Sequence, residues 1–360
     1  MDKKNLKELR AECKAKGLKG YSSMKREDLV GLLAPQLVGL LAPQLVGLLA
    51  PQPSEPDVGL NVLSLFCGCG GLDDGFHRNA AFNLARSMDN MKHAVETHNL
   101  NFPKRAEVRD VKDLLKPEFP LGFSPDVVIG GPPCQDFSSA GDQTLGDRAN
   151  LTEVFAQVIR KYAPRYFVME NVPAIKKTGK PVYDKVVGMM KEDGYGLTER
   201  VVYMPDYGIP QGRSRLIIIG VKGGKDDELA AALDREKVPV ASIQDYMTKY
   251  GVDLGLDGKK FIYRHPRTYD RRGVFGIDEL YPTVRGVVRK MSPTYKFHEG
   301  DKSKDRAEIK EDPGWELVAR IQTFPADFKW LRKNNALIVG NAVPPQFSKV
   351  LAKIIAEHSN

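Results

Sequence analysis

A chain of 360 residues with 42% apolar and 28% charged side chains can bury a full α/β core, and that composition excludes a fibrous or wholly disordered protein. No apolar run is long enough to cross a bilayer, and the first residues alternate charge with hydrophobicity, so neither a membrane span nor secretion is expected. The net charge of +8 accommodates a polyanionic partner without requiring one, because a basic solvated surface gives the same figure.

Residues 3–34 carry helical periodicity in two pieces, Leu6, Leu9, Cys13 and then Leu29, Leu32, Leu33, joined by GLKGYSS, with Ser23 placed to cap the second piece. This unit, LKELRAECKAKGLKGYSSMKREDLVGLL, resembles the helix-linker-helix modules of the SAP and Rho-N type, which contact nucleic acid; a plain helical hairpin is the alternative. The octapeptide LVGLLAPQ then occurs three times between Leu29 and Gln52. Each copy holds a Gly and a Pro, which no long helix tolerates, so residues 35–57 read as a linker.

From Leu60 the texture changes. NVLSLF is a strand, and the Gly-rich CGCGGLDDGF after it leads into a helix, an arrangement that lets backbone approach a nucleotide closely. A second strand, AFNLARSMD, ends at Asp89, whose carboxylate is placed to accept from two ribose hydroxyls, and Asp110 follows at the next acidic turn. The chain is organised around DVVIGGPPCQDFS, Asp126 to Ser138. Asp126 to Ile129 form a short buried strand; Gly130, Gly131, Pro132 and Pro133 turn it into a rigid corner carrying Cys134. The loop SSAGDQTLGDR beyond, with Gly141 and Gly146 as hinges, is a candidate lid.

Residues 149–163 look helical, and RYFVMENV is a further strand that brings Glu170 and Asn171 out beside the tip bearing Cys134. VVYMPDYGIPQGRSRLIIIG gives two strands around a polar loop with Gln211, Arg213 and Arg215, the two arginines alternating so that both could reach one anion. Residues 222–280, rich in charge and including RHPRTYDRRG, read as a small domain or insertion. GNAVPPQFSKVLAKIIAEH is a Gly-Asn turn followed by an amphipathic helix with Phe347, Val350, Leu351, Ile354 and Ile355 on one side, expected to return to the first sheet. The four cysteines, Cys13, Cys67, Cys69 and Cys134, include no CxxC, so no metal site or redox pair is expected, and reduced thiols fit a cytoplasmic or host-nuclear location.

Taken together, FCGCGG (Phe66 to Gly71), GPPCQDFS (Gly131 to Ser138), ENV (Glu170 to Val172), QGRSR (Gln211 to Arg215), RIQTFPADF (Arg320 to Phe328) and GNAVP (Gly340 to Pro344) resemble the DNA (cytosine-5) methyltransferases in order and spacing. The resemblance covers nearly all of Leu60 to Asn360. It implies an α/β chain with a Rossmann-like S-adenosylmethionine-dependent methyltransferase sheet and a smaller target-recognition domain, to which the SAP/Rho-N resemblance adds the short N-terminal helical module. The corresponding divisions are 1–34, 35–57, 58–221 for catalysis, 222–280 for recognition, and 281–360 for the end of the recognition domain and the return to the catalytic one.

By the same resemblance, Cys134, Glu170, Asn171, Arg213 and Arg215 are catalytic. Phe66, Gly68, Gly70, Gly71, Asp89, Asn90, Asp110, Pro132 and Asn341 bind the cofactor, S-adenosyl-L-methionine. Where the family often has an aromatic residue to stack on adenine, this chain has Asn90 and Met91. The implied partner is double-stranded DNA, acted on by a monomer with base flipping, and a cognate restriction endonuclease would act separately. An RNA cytosine-5 methyltransferase is a rival, disfavoured because no Cys occurs after Cys134. A catalytically silent DNA-binding paralogue is another, disfavoured by the intact catalytic set.

Overall fold

The computed structural model describes residues 6–15, 25, 29, 59–133, 150–268 and 270–360. Two units divide the chain, Met1–Asp57 and Val58–Asn360. In the first, the helix Leu6–Ala15 buries Leu9 and Cys13, one turn apart as the sequence periodicity requires. Ser23 and the LVGLLAPQ repeats, apart from Leu29, lie outside the described residues.

The second unit is built on seven strands: β1 (Leu60–Leu65), β2 (Phe82–Asp89), β3 (Glu107–Val108), β4 (Val127–Gly130), β5 (Tyr166–Asn171), β6 (Tyr195–Tyr203) and, after the two-residue β7 (Gln211–Gly212), β8 (Ser214–Lys222). Their order in the sheet is β3-β2-β1-β4-β5-β8-β6. Neighbours from β3 to β5 run parallel, and β8 inserts antiparallel between β5 and β6. β4 and β5 are buried along their whole length, which is why both read as unbroken apolar runs.

Successive residues of a strand serve opposite faces. Val62, Val127, Ile129, Val168 and Ile217 meet the C-terminal helix Pro345–Ser359 through Phe347, Leu351, Ile354 and Ile355, as its amphipathic pattern predicts. Leu63, Val128, Phe167, Met169 and Ile218 instead meet the helices Asn150–Tyr162 and Lys180–Glu192. The chain leaves β1 toward β2 on one side and returns to β4 on the other, so the carboxyl ends of β1 and β4 flank the point where strand order reverses.

Residues 222–280 do not form one block. Leu229, Leu233, Val240, Ile243 and Tyr246 join the core shared with the C-terminal helix. A separate small sheet, β10 (Val274–Gly276), β9 (Phe261–Tyr263) and β12 (Ile309–Lys310), closes over Tyr263, Val274, Met291 and Ile309. It therefore draws on residues past 280, a long-range pairing that local composition does not announce. The expected Gly-Asn turn is also different: Gly340 and Asn341 end a short helix, Ala336–Asn341. Among the described residues no helix is long and apolar enough to cross a membrane.

Candidate active site

At the carboxyl end of β1 the backbone turns through left-handed conformations at Phe66 (φ 54°), Gly68 (φ 56°) and Gly70 (φ 97°). Gly70 has no alternative, since a Cβ there would lie 2.2 Å from the Phe102 ring. Asp89, at the end of β2, holds this turn in place. One carboxylate oxygen accepts from Gly68 N–H at 2.9 Å and the other from Met91 N–H at 2.7 Å. Burial pushes the Asp89 carboxyl up from its ordinary value, against the smaller opposing effect of those two N–H groups.

Beneath the turn lies a support that sequence reasoning missed. Buried Asp73 accepts from Ser64 Oγ at 2.7 Å and Ser87 Oγ at 2.9 Å, and lies 3.0 Å from His98 Nε2, tying β1, β2 and the helix Lys92–His98 together. Cys67 joins Asp73 and His98 in a cluster whose ligand atoms fall within 4.8 Å of one another. Burial first and the Asp73 charge second push the Cys67 thiol up. With Asp73 already engaged by three groups, the cluster is a hydrogen-bonded brace. Asp110 is exposed beyond β3, and one of its oxygens accepts from Lys112 N–H at 2.9 Å, capping the short 3-10 turn Val111–Leu115.

Across the crevice, β4 and β5 run side by side with Gly130 opposite Met169, so the next residues of each strand emerge together. A Cβ on Gly131 would lie 3.1 Å from Glu170 Oε2; the carboxylate of Glu170 thus rests on the corner that continues through Pro132 and Pro133. Cys134 follows that corner and, with the rest of residues 134–149 including Gly141 and Gly146, lies outside the described residues. Arg215 Nε stands 2.8 Å from Glu170 Oε1 as an ion pair, although its N–H misses the oxygen, which is buried and accepts no hydrogen bond from the described residues. Asn171 is buried; its Oδ1 accepts from Val172 N–H at 2.8 Å and its Nδ2 has no partner among the described residues.

Arg213 and Arg215 do not converge on one anion, contrary to the sequence expectation. Arg213 precedes β8 and turns inward, donating to the carbonyls of Val284 (3.2 Å), Gly340 (3.3 Å) and Ala342 (3.2 Å) while fully enclosed. Burial, aided by Arg215, pushes its guanidinium down to about 9, still charged at neutral pH. Gln211 Oε1 accepts from Val284 N–H at 3.0 Å, and Gln322 Nε2 donates to Ala342 O at 2.7 Å, so buried polar groups knit the GNAVP segment to the sheet. Asn341 itself is exposed.

An open sheet reversing at β1, with a carboxylate-clamped glycine turn on one side and an acid–arginine pair on the other, is the Rossmann-like architecture of a transferase, whose crevice lies at the carboxyl ends of the strands. The family model described as C-5 cytosine-specific DNA methylase matches residues 60–357, and the chain belongs to that family. It is 37% identical to the type II methyltransferase M.HindV of Haemophilus influenzae over 305 residues, which are 82% of this chain and 96% of that protein. M.HgiDI of Herpetosiphon aurantiacus is 35% identical over 314 residues, 84% of this chain and 96% of its own length. In fold, the chain matches the S. pombe Dnmt2 methyltransferase with a TM-score of 0.59 at 18% identity, covering 84% of this chain and 99% of that one.

The protein is a DNA (cytosine-5-)-methyltransferase that uses S-adenosyl-L-methionine. The residues present fit that cofactor. Each Asp89 oxygen spends one acceptor site on backbone and keeps another, as two ribose hydroxyls need, and the Cβ direction of Gly68 is open.

Proposed function

We propose that Cys134 is the nucleophile, acting on a cytosine extruded from duplex DNA. The observation that carries this reading is the Glu170–Arg215 pair seated against Gly131, on the corner that leads directly to Cys134. The Cys134 thiolate adds to carbon 6 of the ring, and the electron pair released toward carbon 5 makes that carbon nucleophilic. S-adenosyl-L-methionine, when bound, supplies an electrophilic methyl group. A base then takes the carbon 5 proton, and the electrons returning to the ring expel Cys134. Protonated Glu170 donates to ring nitrogen 3 during attack, stabilising charge as it develops, while Arg215 fixes the carboxyl. Asn171 organises the turn behind Glu170. Arg213 acts through the carbonyls it gathers, which position the segment carrying Asn341.

On the cofactor side, Asp89 takes the ribose hydroxyls and Asp110 the adenine amino group, with Phe66, Gly68, Gly70, Gly71, Asn90, Pro132 and Asn341 forming the surrounding wall. Residues 58–221 with the C-terminal return make the catalytic domain. The small sheet and its loops make the recognition region, and residues 1–34 a nucleic-acid-contacting appendage reached through the 35–57 linker. The type II methyltransferase relatives support a modification role; the enzyme acts as a monomer in this reading, with any cognate endonuclease acting separately. The buried free thiols Cys13, Cys67 and Cys69 support work in a reducing cytoplasm or nucleus. Methyl transfer from labelled cofactor into duplex DNA and into tRNA tests the reading, and bisulfite sequencing reads the site. Label in duplex DNA at carbon 5 of cytosine is expected; label confined to tRNA, or none, contradicts it.

A further inference from the structure

The recognition region carries positive charge that the mechanism leaves unused. Arg264, His265, Tyr281, Arg285 and Arg289 border one cavity of about 10 Å³, roughly the space of a single oxygen-bearing group such as water. Arg264 donates to Thr283 O at 3.1 Å and Arg285 donates to His265 O, so each arginine braces the segment that carries the other. Arg289 Nη1 stands 3.5 Å from His265 Nε2, and Tyr263 OH stands 3.2 Å from His265 Nδ1. Buried Arg285 Nε has no partner, and among the described residues no carboxylate pairs with Arg264, Arg285 or Arg289. Burial first, then neighbouring arginines, push the Arg264 guanidinium down to about 10 and also lower Arg285 and His265. Arg264 and Arg285 are drawn together with exposed Arg289 at their rim and without a carboxylate among the described residues, and an entering anion would relieve the repulsion between them.

The cluster is also joined to the catalytic frame. Val284, one residue before Arg285, accepts from Arg213 and donates to Gln211, and β11 (Tyr281–Pro282) pairs with β7. A group held by Arg285 is therefore fixed relative to the segment Gly340–Ala342.

We propose that Arg264, His265, Arg285 and Arg289 form a cradle for one phosphodiester of the DNA, setting the register of the duplex against the cytosine to be methylated. The proposal rests on the DNA-modifying reading above. The cradle is assigned to backbone phosphate, a contact that positions the duplex and carries no base information.

The test measures binding of the full-length protein to two labelled duplexes of equal length, one methylated by the parent and one not, across a range of NaCl concentrations. Arg289→Ala is the informative variant because Arg289 is exposed. The expected result is a salt slope shallower by about one, with equal loss of affinity on both duplexes. Arg285→Lys, which keeps the charge but loses the fork, should weaken binding while leaving the slope nearer the parent's. Arg160→Ala, which removes a cation paired with Glu192 and Asp193, should leave the slope unchanged. An unchanged slope in Arg289→Ala, a loss confined to the methylated duplex, or an equal change in Arg160→Ala would overturn the cradle. Failure of the parent to methylate any duplex is a different result and strikes the DNA-modifying reading itself.

Discussion

In the proposed cofactor site Asp89 both clamps the glycine turn and takes the ribose, and its effects on stability and on cofactor affinity respond to pH in opposite directions. Its folded value is raised by burial, so the native state holds the proton more tightly than the unfolded chain. The group therefore costs stability at neutral pH, and that cost disappears as pH falls through the raised value toward the ordinary one. Cofactor affinity runs the other way, because a protonated carboxyl loses acceptor capacity. Calorimetric titration should find S-adenosyl-L-methionine binding weakening already above the ordinary aspartate value of about 3.9. Asp89→Asn should bind about 10–100-fold more weakly with a flat profile over the same range; a variant as pH-dependent as the parent would assign the titration elsewhere. Arg215 gives a second test. Arg215→Ala leaves the Glu170 carboxyl enclosed without its cation, and a fall in kcat of about a hundredfold is expected, with partial recovery in Arg215→Lys. Equal kcat in Ala and Lys variants would mean the pair is structural only.

Among the elements, the close seat of the C-terminal helix on Asp73–His77 carries the most risk. A Cβ on Gly75 would lie 2.2 Å from the backbone carbon of Ser348, an atom that cannot swing aside. Gly75→Ala should therefore destabilise the fold by about 1–3 kcal/mol, read as a lower thermal midpoint, and an unchanged midpoint would mean the helix shifts freely. The sequence made the strands and this helix legible because their patterns are local: β-branched runs at Val127–Ile129 and a 3.6-residue period from Phe347 to Ile355. Asp89, Glu170 and the glycine turn were legible for the same reason, each falling at the end of a readable strand. The Asp73 brace was not, since Ser64, Ser87 and His98 come from three separate elements and leave no spacing signal. Nor was the inward turn of Arg213, whose carbonyl partners lie 71 to 129 residues away. The small sheet hid its third strand for the same reason, pairing Ile309–Lys310 with Phe261–Ile262.

Across the whole molecule, the proposed mechanism brings both halves of the reaction to the place where the sheet reverses. In the proposed arrangement the cofactor side lies at the ends of β1 and β2 and the base side at the ends of β4 and β5, while Arg213 and Gln322 hold the segment Gly340–Ala342 by its carbonyls. The proposed mechanism requires that Cys134, which follows the Gly131–Pro133 corner in the chain, bonds to the target ring in every turnover. The most direct measurement incubates the enzyme with S-adenosyl-L-methionine and duplex DNA containing 5-fluorocytosine at the methylated position, where fluorine blocks the final loss from carbon 5. A denaturation-resistant protein–DNA complex is expected with the parent and not with Cys134→Ser. Absence of the complex with an enzyme that methylates the unfluorinated duplex, or its formation with Cys134→Ser, would contradict the account.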